Sequence, residues 1–197
     1  MTRKRLFTSD TLDAVAYIVL LLAVASWVAL LCVKQLTYGL EFDESYLLGV
    51  ANNLASGSGY VDDGVTFLST SEPFSPVIST GPTVLIPVSL TWWIFDGDLL
   101  AIRFTMLIFF GILLFSVWRL FGNLSGRWAS LAAVGGLALV PTVAPDLQNT
   151  SLMPGRVVGE LPALALLLLA GLLLSKHRYF WSGLCLGLML LSKLTFA

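Results

Sequence analysis

Charge is scarce in this sequence, and that scarcity excludes an ordinary water-soluble globule. Only 12% of the 197 residues are charged and 57% are hydrophobic, with a mean hydropathy of +0.87; soluble domains carry about a quarter charged residues. No soluble core hides that much apolar side chain. Cysteine is nearly absent as well. Cys32 and Cys185 both lie in apolar runs, which reads as buried, unpaired thiols rather than a disulfide framework. With so few cysteines and His177 as the single histidine, no metal-ligand cluster is written in the spacing, and no metal-binding residue is assigned. The formal net charge is −1, which points away from nucleic acid as a partner. There is no internal repeat and no low-complexity linker, so residues 1–197 read as a single domain.

What the sequence does have is apolar runs of membrane-crossing length. Between Ala14 and Val33 nothing is charged, about the 20 residues a helix needs to cross a ~30 Å hydrocarbon layer. Met1 to Arg5 is basic, as in a secretory signal, but the run that follows is too long and lacks an A-x-A-like exit. It reads as an uncleaved signal anchor. Leu31 before Cys32 speaks against a lipoprotein cleavage box, which needs a small residue there. Further runs cover residues 99–118, 128–144, 157–175 and 179–192, with a shorter one at 83–95 interrupted by Pro87. Within lipid every backbone amide must be satisfied inside its own helix. The expected fold is therefore all-α: a polytopic transmembrane helical bundle of five full spans plus one partial or sixth span, with an extracytoplasmic amphipathic-helix loop.

The placement of the few charges orients the chain. Arg3, Lys4 and Arg5 put the amino terminus in the cytoplasm by the positive-inside rule, so the expected location is the plasma (inner) membrane, multi-pass. The first extracytoplasmic loop, residues 36–82, carries Glu41, Asp43, Glu44, Asp62, Asp63 and Glu72 without one Lys or Arg, and loops of that length tend to be functional. If residues 83–95 dip in or lie along the interface instead of crossing, Arg119/Arg127 and Lys176-His177-Arg178 all fall inside, and Asp146 to Arg156 joins the acidic loop outside. A short run with an internal proline suits that reading. His177 then has a topological role, and Trp92 and Trp93 read as interface-belt residues.

The most specific segment is the run from Glu41 to Tyr60. Leu47, Val50, Ala51 and Leu54 recur at helical spacing and make one apolar stripe, predicting a short amphipathic helix on the membrane surface. Asp43 and Glu44 stand at its amino-terminal end, where free N–H groups and the dipole favour anions, and Gly57 and Gly59 stop it. On this evidence Asp43 is either a helix cap or a reactive carboxylate.

The run Asp43-Glu44-Ser45-Tyr46, followed by Ala51, Asn53-Leu54 and Gly57-x-Gly59 just after a first apolar helix, resembles the first extracytoplasmic loop of GT-C glycosyltransferases. These include the protein O-mannosyltransferases and the enzymes that add aminoarabinose to lipid A. The resemblance continues in order through Glu72-Pro73, Gly81-Pro82, Phe95-Asp96-Gly97, Ala101-Ile102-Arg103, Arg119-Leu120-Phe121-Gly122 and the stretch from Gly187 to Lys193. The chain departs from the family pattern at Gly81-Pro82-Thr83, at the inserted Asp96, and where Pro145-Asp146 is followed by Gln148-Asn149-Thr150. Those departures leave open the acceptor and whether a divalent metal is a cofactor.

The resemblance implies transfer of a sugar from a polyprenyl-phosphate-linked donor to an acceptor hydroxyl on the extracytoplasmic side. Asp43 is then the catalytic carboxylate, with Glu44 beside it. Such a reaction needs a base for the incoming hydroxyl and a cation near the leaving phosphate. Arg103 is the candidate cation, costly at the edge of an apolar run unless paired. Tyr46 and Glu72 complete the candidate substrate-binding set. Structural readings stand beside these: a snorkelling or ion-paired Arg103, an interfacial Tyr46, and a purely structural Arg156 and Glu160. Other function classes are a lipid-linked sugar transporter or flippase component and a non-catalytic membrane subunit. A transporter should carry ionisable residues at mid-membrane depth, whereas here the polar chemistry collects in one outer loop. The expected partners are the lipid-linked donor, membrane lipid, and a carboxy-terminal half or second subunit, because family members run to several hundred residues and this chain reads as stopping at the edge of a helix.

Overall fold

The structure is a computed structural model that describes residues 9–62, 72–75, 80–143 and 153–193. Expectations placed on Arg3, Lys4, Arg5, Asp63, Asp146 and the Gln148-Asn149-Thr150 stretch fall outside the described residues. Seven helices follow one another among those that are described: α1 (Ser9–Leu36), α2 (Phe42–Ala55), α3 (Pro82–Ile94), α4 (Leu99–Ser125), α5 (Arg127–Val143), α6 (Glu160–Ser175) and α7 (Tyr179–Leu190). Between α2 and α3 lies a small antiparallel pair, β1 (Val61–Asp62) and β2 (Glu72–Pro73), with Val61 opposite Pro73 and Asp62 opposite Glu72.

The expectation of five full spans plus a partial one is overturned. Among the described residues two helices are long and apolar enough to cross a membrane, Asp10–Leu36 and Leu99–Ser125, each of 27 residues, or roughly 40 Å of helix. The others are too short, and for α6 and α7 the reasons lie in contacts with other elements. Pro154 and Gly155 turn the chain (Gly155 φ 90°), and the Val157 N–H is donated to Glu44. The apolar run from 157 therefore becomes helix only at Glu160. Helix α7 stops at Leu190 because the next carbonyls are taken by another element: Gly81 N–H donates to Ser192 O (2.8 Å) and Thr83 N–H to Leu191 O (3.4 Å). Helix α3, with Pro82 in its first turn and Pro87 inside, is 13 residues long.

Glycine makes that junction possible. A Cβ on Gly81 would stand 2.0 Å from Leu191 O, and one on Gly159 2.5 Å from Ser192 O. The end of α7 thus wedges between the starts of α3 and α6, where Lys193 pairs with Glu160.

Helices α1 and α4 run antiparallel. At one end Arg127 and Trp128, which follow α4, reach Asp13 near the start of α1; at the other, Arg103 in the first turns of α4 reaches Gln35 near the end of α1. The basic turn Lys176-His177-Arg178 joins α6 to α7, with His177 at φ 57°. Gly126 (φ 84°) makes the corner between α4 and α5. Much of the outer face of α1 is bare: Leu22 and Leu30 are each 62% exposed.

Three apolar clusters hold the assembly among the described residues, the smallest joining α6 to α7 through Leu166, Ala170 and Cys185. The first joins α2, α3 and α4 through Leu47, Leu48, Val50, Ala51, Val84, Leu85, Val88, Ile102 and Met106. The stripe of α2 is therefore spent against protein rather than on a membrane surface, which corrects the expectation for that helix. The second core joins α4, α5 and α6 through Phe110, Leu113, Val117, Val134, Leu161 and Ala165, with Val24, Val28 and Cys32 of α1 against it. Cys32 and Cys185 are both free thiols.

Candidate functional site

The amino-terminal end of α2 opens onto a cavity of about 450 Å³ lined by Glu41, Phe42, Asp43, Glu44, Arg156, Val158 and Glu160. Three segments build it: the first turn of α2, the turn before α6, and the start of α6 itself.

Arg103 fixes the first of these. Its side chain lies 2% exposed between the end of α1, α2 and α4. The guanidinium donates to the carbonyls of Gln35 and Gly39 (3.3 Å for the latter) and to Glu44 Oε2 at 3.5 Å. The second oxygen of Glu44 accepts the Val157 N–H at 3.4 Å. Glu44 is thus equally buried, and it ties α2 to α4 and to the turn before α6. Burial raises its pKa above the ordinary carboxylate value, while Arg103 and the Val157 N–H pull the other way. A buried carboxylate loses more by leaving water than a partner at 3.5 Å restores.

Arg156 pairs with Glu41, the residue that opens α2, and burial draws its guanidinium below the ordinary arginine value. Lys193 pairs with Glu160. Glu41, Glu44 and Glu160 are therefore each bound to a cation. Asp43 is different: its side chain is exposed, lines the cavity, and has no hydrogen-bond or ion-pair partner among the described residues. Nor does it cap the helix, since the N-cap position belongs to Glu41, which makes no side-chain cap bond.

Of the residues expected to act together, the structure brings Asp43 and Glu44 to the cavity and sets Arg103 directly behind Glu44. Tyr46 and Glu72 lie elsewhere. The Tyr46 hydroxyl donates to Asp62 Oδ2 at 2.5 Å, and its pKa is pushed up to about 12 by burial and by that carboxylate. Its ring packs on Phe74, which also meets Tyr60 edge-on at 5.2 Å, so Tyr46 fastens the β pair to α2. Glu72 is exposed on β2, opposite Asp62. Arg156, Glu160 and Lys193 were not singled out as site residues, yet they surround Asp43 or hold its neighbours. The available signal was that Arg156 begins an apolar run on the side expected to face the acidic loop. Among the described residues no group of three His, Cys, Asp or Glu side chains is placed to hold a metal ion.

No protein-family model matches this chain, nor does any curated protein or solved structure.

Proposed function

We propose that the chain is a membrane-anchored glycosyltransferase module that moves a sugar from a polyprenyl-phosphate donor to an acceptor hydroxyl, with Asp43 as general base. The observation that carries this reading is the single unpartnered carboxylate in a cavity whose other acids are all held by cations. In the reaction, Asp43 takes the proton of the acceptor hydroxyl, whose oxygen attacks the anomeric carbon. The bond from that carbon to the phosphate oxygen breaks, and the lipid phosphate leaves with the electron pair. Arg156 is the cation for the leaving phosphate, because it borders the same cavity and its partner Glu41 is at the rim. Arg103 is spent on Gln35, Gly39 and Glu44, so Arg103 and Glu44 are positioning residues.

The donor is a membrane lipid, and two helices are long and apolar enough to cross a bilayer. The orientation in this reading, with the amino terminus and the α4–α5 corner in the cytoplasm and α2 outside, rests on the basic run Arg3-Lys4-Arg5 ahead of α1. The apolar outer face of α1 also fits lipid better than water.

The test is Asp43→Asn in membranes carrying the full gene product, with a labelled polyprenyl-phosphate sugar as donor. The amide keeps the shape and removes the basicity. A fall of roughly 10²-fold or more in transfer is expected, with insertion and thermal stability unchanged. Near-normal transfer by the variant would sink the assignment.

A further inference from the structure

At the opposite end of the long helices, the corner between α4 and α5 holds a second polar cavity, of about 270 Å³, lined by Trp118, Arg119, Gly122, Asn123, Arg127 and Ser130. We propose that it binds the phosphate headgroup of an anionic glycerophospholipid. The inference rests on the membrane reading of α1 and α4, and is independent of the chemistry at Asp43.

Both arginines are placed for such a ligand. Arg119 is exposed, has no carboxylate partner among the described residues, and lies 5.7 Å from the Phe115 ring centroid. Arg127 lies 4.9 Å above the Tyr17 ring and pairs with Asp13, whose other oxygen accepts the Trp128 indole N–H at 3.1 Å. Stacking of this kind fixes a planar guanidinium while leaving edge N–H groups to face an anion. Asp13 offsets part of the Arg127 charge, so Arg119 is the dominant cation.

Ser130 and Gly122 close the α4–α5 corner at the cavity. Ser130 Oγ donates to Trp118 O at 2.9 Å, and a Cβ on Gly122 would come within 2.8 Å of that hydroxyl. The ligand class follows from depth. The site sits where two membrane-length helices end, within a ring of Tyr17, Trp118 and Trp128, and aromatic rings of that kind mark the headgroup level of a bilayer. At that level the abundant anion is the lipid phosphate, attached to chains that can lie against the bare apolar faces of α1 and α4.

The test uses the full chain in phosphatidylcholine bilayers with spin-labelled phosphatidylglycerol or spin-labelled phosphatidylcholine, reading the motionally restricted lipid fraction. The wild type should retain phosphatidylglycerol preferentially. Arg119→Gln should cut its relative association constant about fivefold, as expected for one basic residue at a membrane surface. Asn123→Asp, which adds a carboxylate to the cavity and leaves both arginines in place, should weaken it likewise. Arg178→Gln, in the other basic turn, and Asp43→Asn should leave it unchanged, as should excess inorganic phosphate. The proposal is overturned if phosphatidylglycerol and phosphatidylcholine are retained equally, if Arg178→Gln is as damaging as Arg119→Gln, or if folded Arg119→Gln and Asn123→Asp proteins match the wild type. Displacement of the lipid by inorganic phosphate would also overturn it, because the site would then be one for the free anion.

Discussion

Arg103 offers the sharpest separation between structure and chemistry. Replacing it with Met keeps a long flexible side chain but withdraws donors from Gln35 O, Gly39 O and Glu44 Oε2, and leaves Glu44, only 2% exposed, without its cation. Removing one partner of a buried ion pair costs about 3–5 kcal/mol. In a domain of this length that is a fall in Tm of about 6–20 °C, taking 2–4 °C per kcal/mol. Glu44→Gln should cost less, about 1–3 kcal/mol, since the amide oxygen still accepts the Val157 N–H. Because the two side chains touch, their effects should not add, and a coupling of about 0.5–3 kcal/mol is expected in the double-mutant cycle. The assay is thermal unfolding in a fixed detergent, followed by near-ultraviolet circular dichroism for each member of the cycle. An Arg103→Met protein within about 1 kcal/mol of the wild type, but with transfer abolished, would refute the reasoning: Arg103 would then be a ligand for substrate rather than the fastener of α1, α2 and α4.

Two further outcomes are expected. Gly81→Ala drives a methyl into Leu191 O and should destabilise the protein by about 1–3 kcal/mol, whereas Gly171→Ala, with open space around it, should be neutral or slightly stabilising; equal Tm values would show that the end of α7 does not wedge against α3. Glu44 binds its proton more tightly in the folded chain than in the unfolded one, so stability should fall as pH rises from the ordinary carboxylate value of about 4.3 through the raised folded value, then level off. Glu44→Gln should flatten that segment of the Tm–pH profile, and an unchanged slope would remove Glu44 as its source.

What could be read from the chain alone depended on how far apart the deciding residues lie. The α2 helix was legible because its signals are local: the stripe of Leu47, Val50 and Ala51, acids in the first turn, and glycines beyond the end. What the stripe faces was not legible. A membrane surface and the side chains of Val84, Leu85 and Ile102 ask the same pattern of the helix. The span count failed for a related reason. Hydropathy sees residues 157–159 and 191–192 as continuations of apolar runs, yet their backbone groups serve Glu44, Gly81 and Thr83, distant in sequence. Nothing local distinguishes a carbonyl that continues a helix from one that meets a partner across the fold.

The same distinction divides the candidate site. Asp43 could be singled out by its place just beyond the first long helix, and its role as a cap or a free carboxylate turned on one neighbour, Glu41, taking the N-cap position. The choice of cation turned on more. Arg103 and Arg156 both stand at the edge of an apolar run, and each is buried against a glutamate from the start of α2. They differ in what else they hold. Arg103 also reaches the main-chain carbonyls of Gln35, near the end of α1, and of Gly39, in the segment leading to α2, and it is not among the residues that line the cavity. Arg156 is paired with a glutamate that is itself partly exposed and lines the cavity. In the proposed reaction the lipid phosphate would compete with Glu41 for Arg156 without opening the core, since Glu41 is the more exposed of the pair. In the proposed reaction these contacts favour Arg156 over Arg103 as the cation for the phosphate, a choice legible only once Gln35 and Gly39 are known to claim the other arginine.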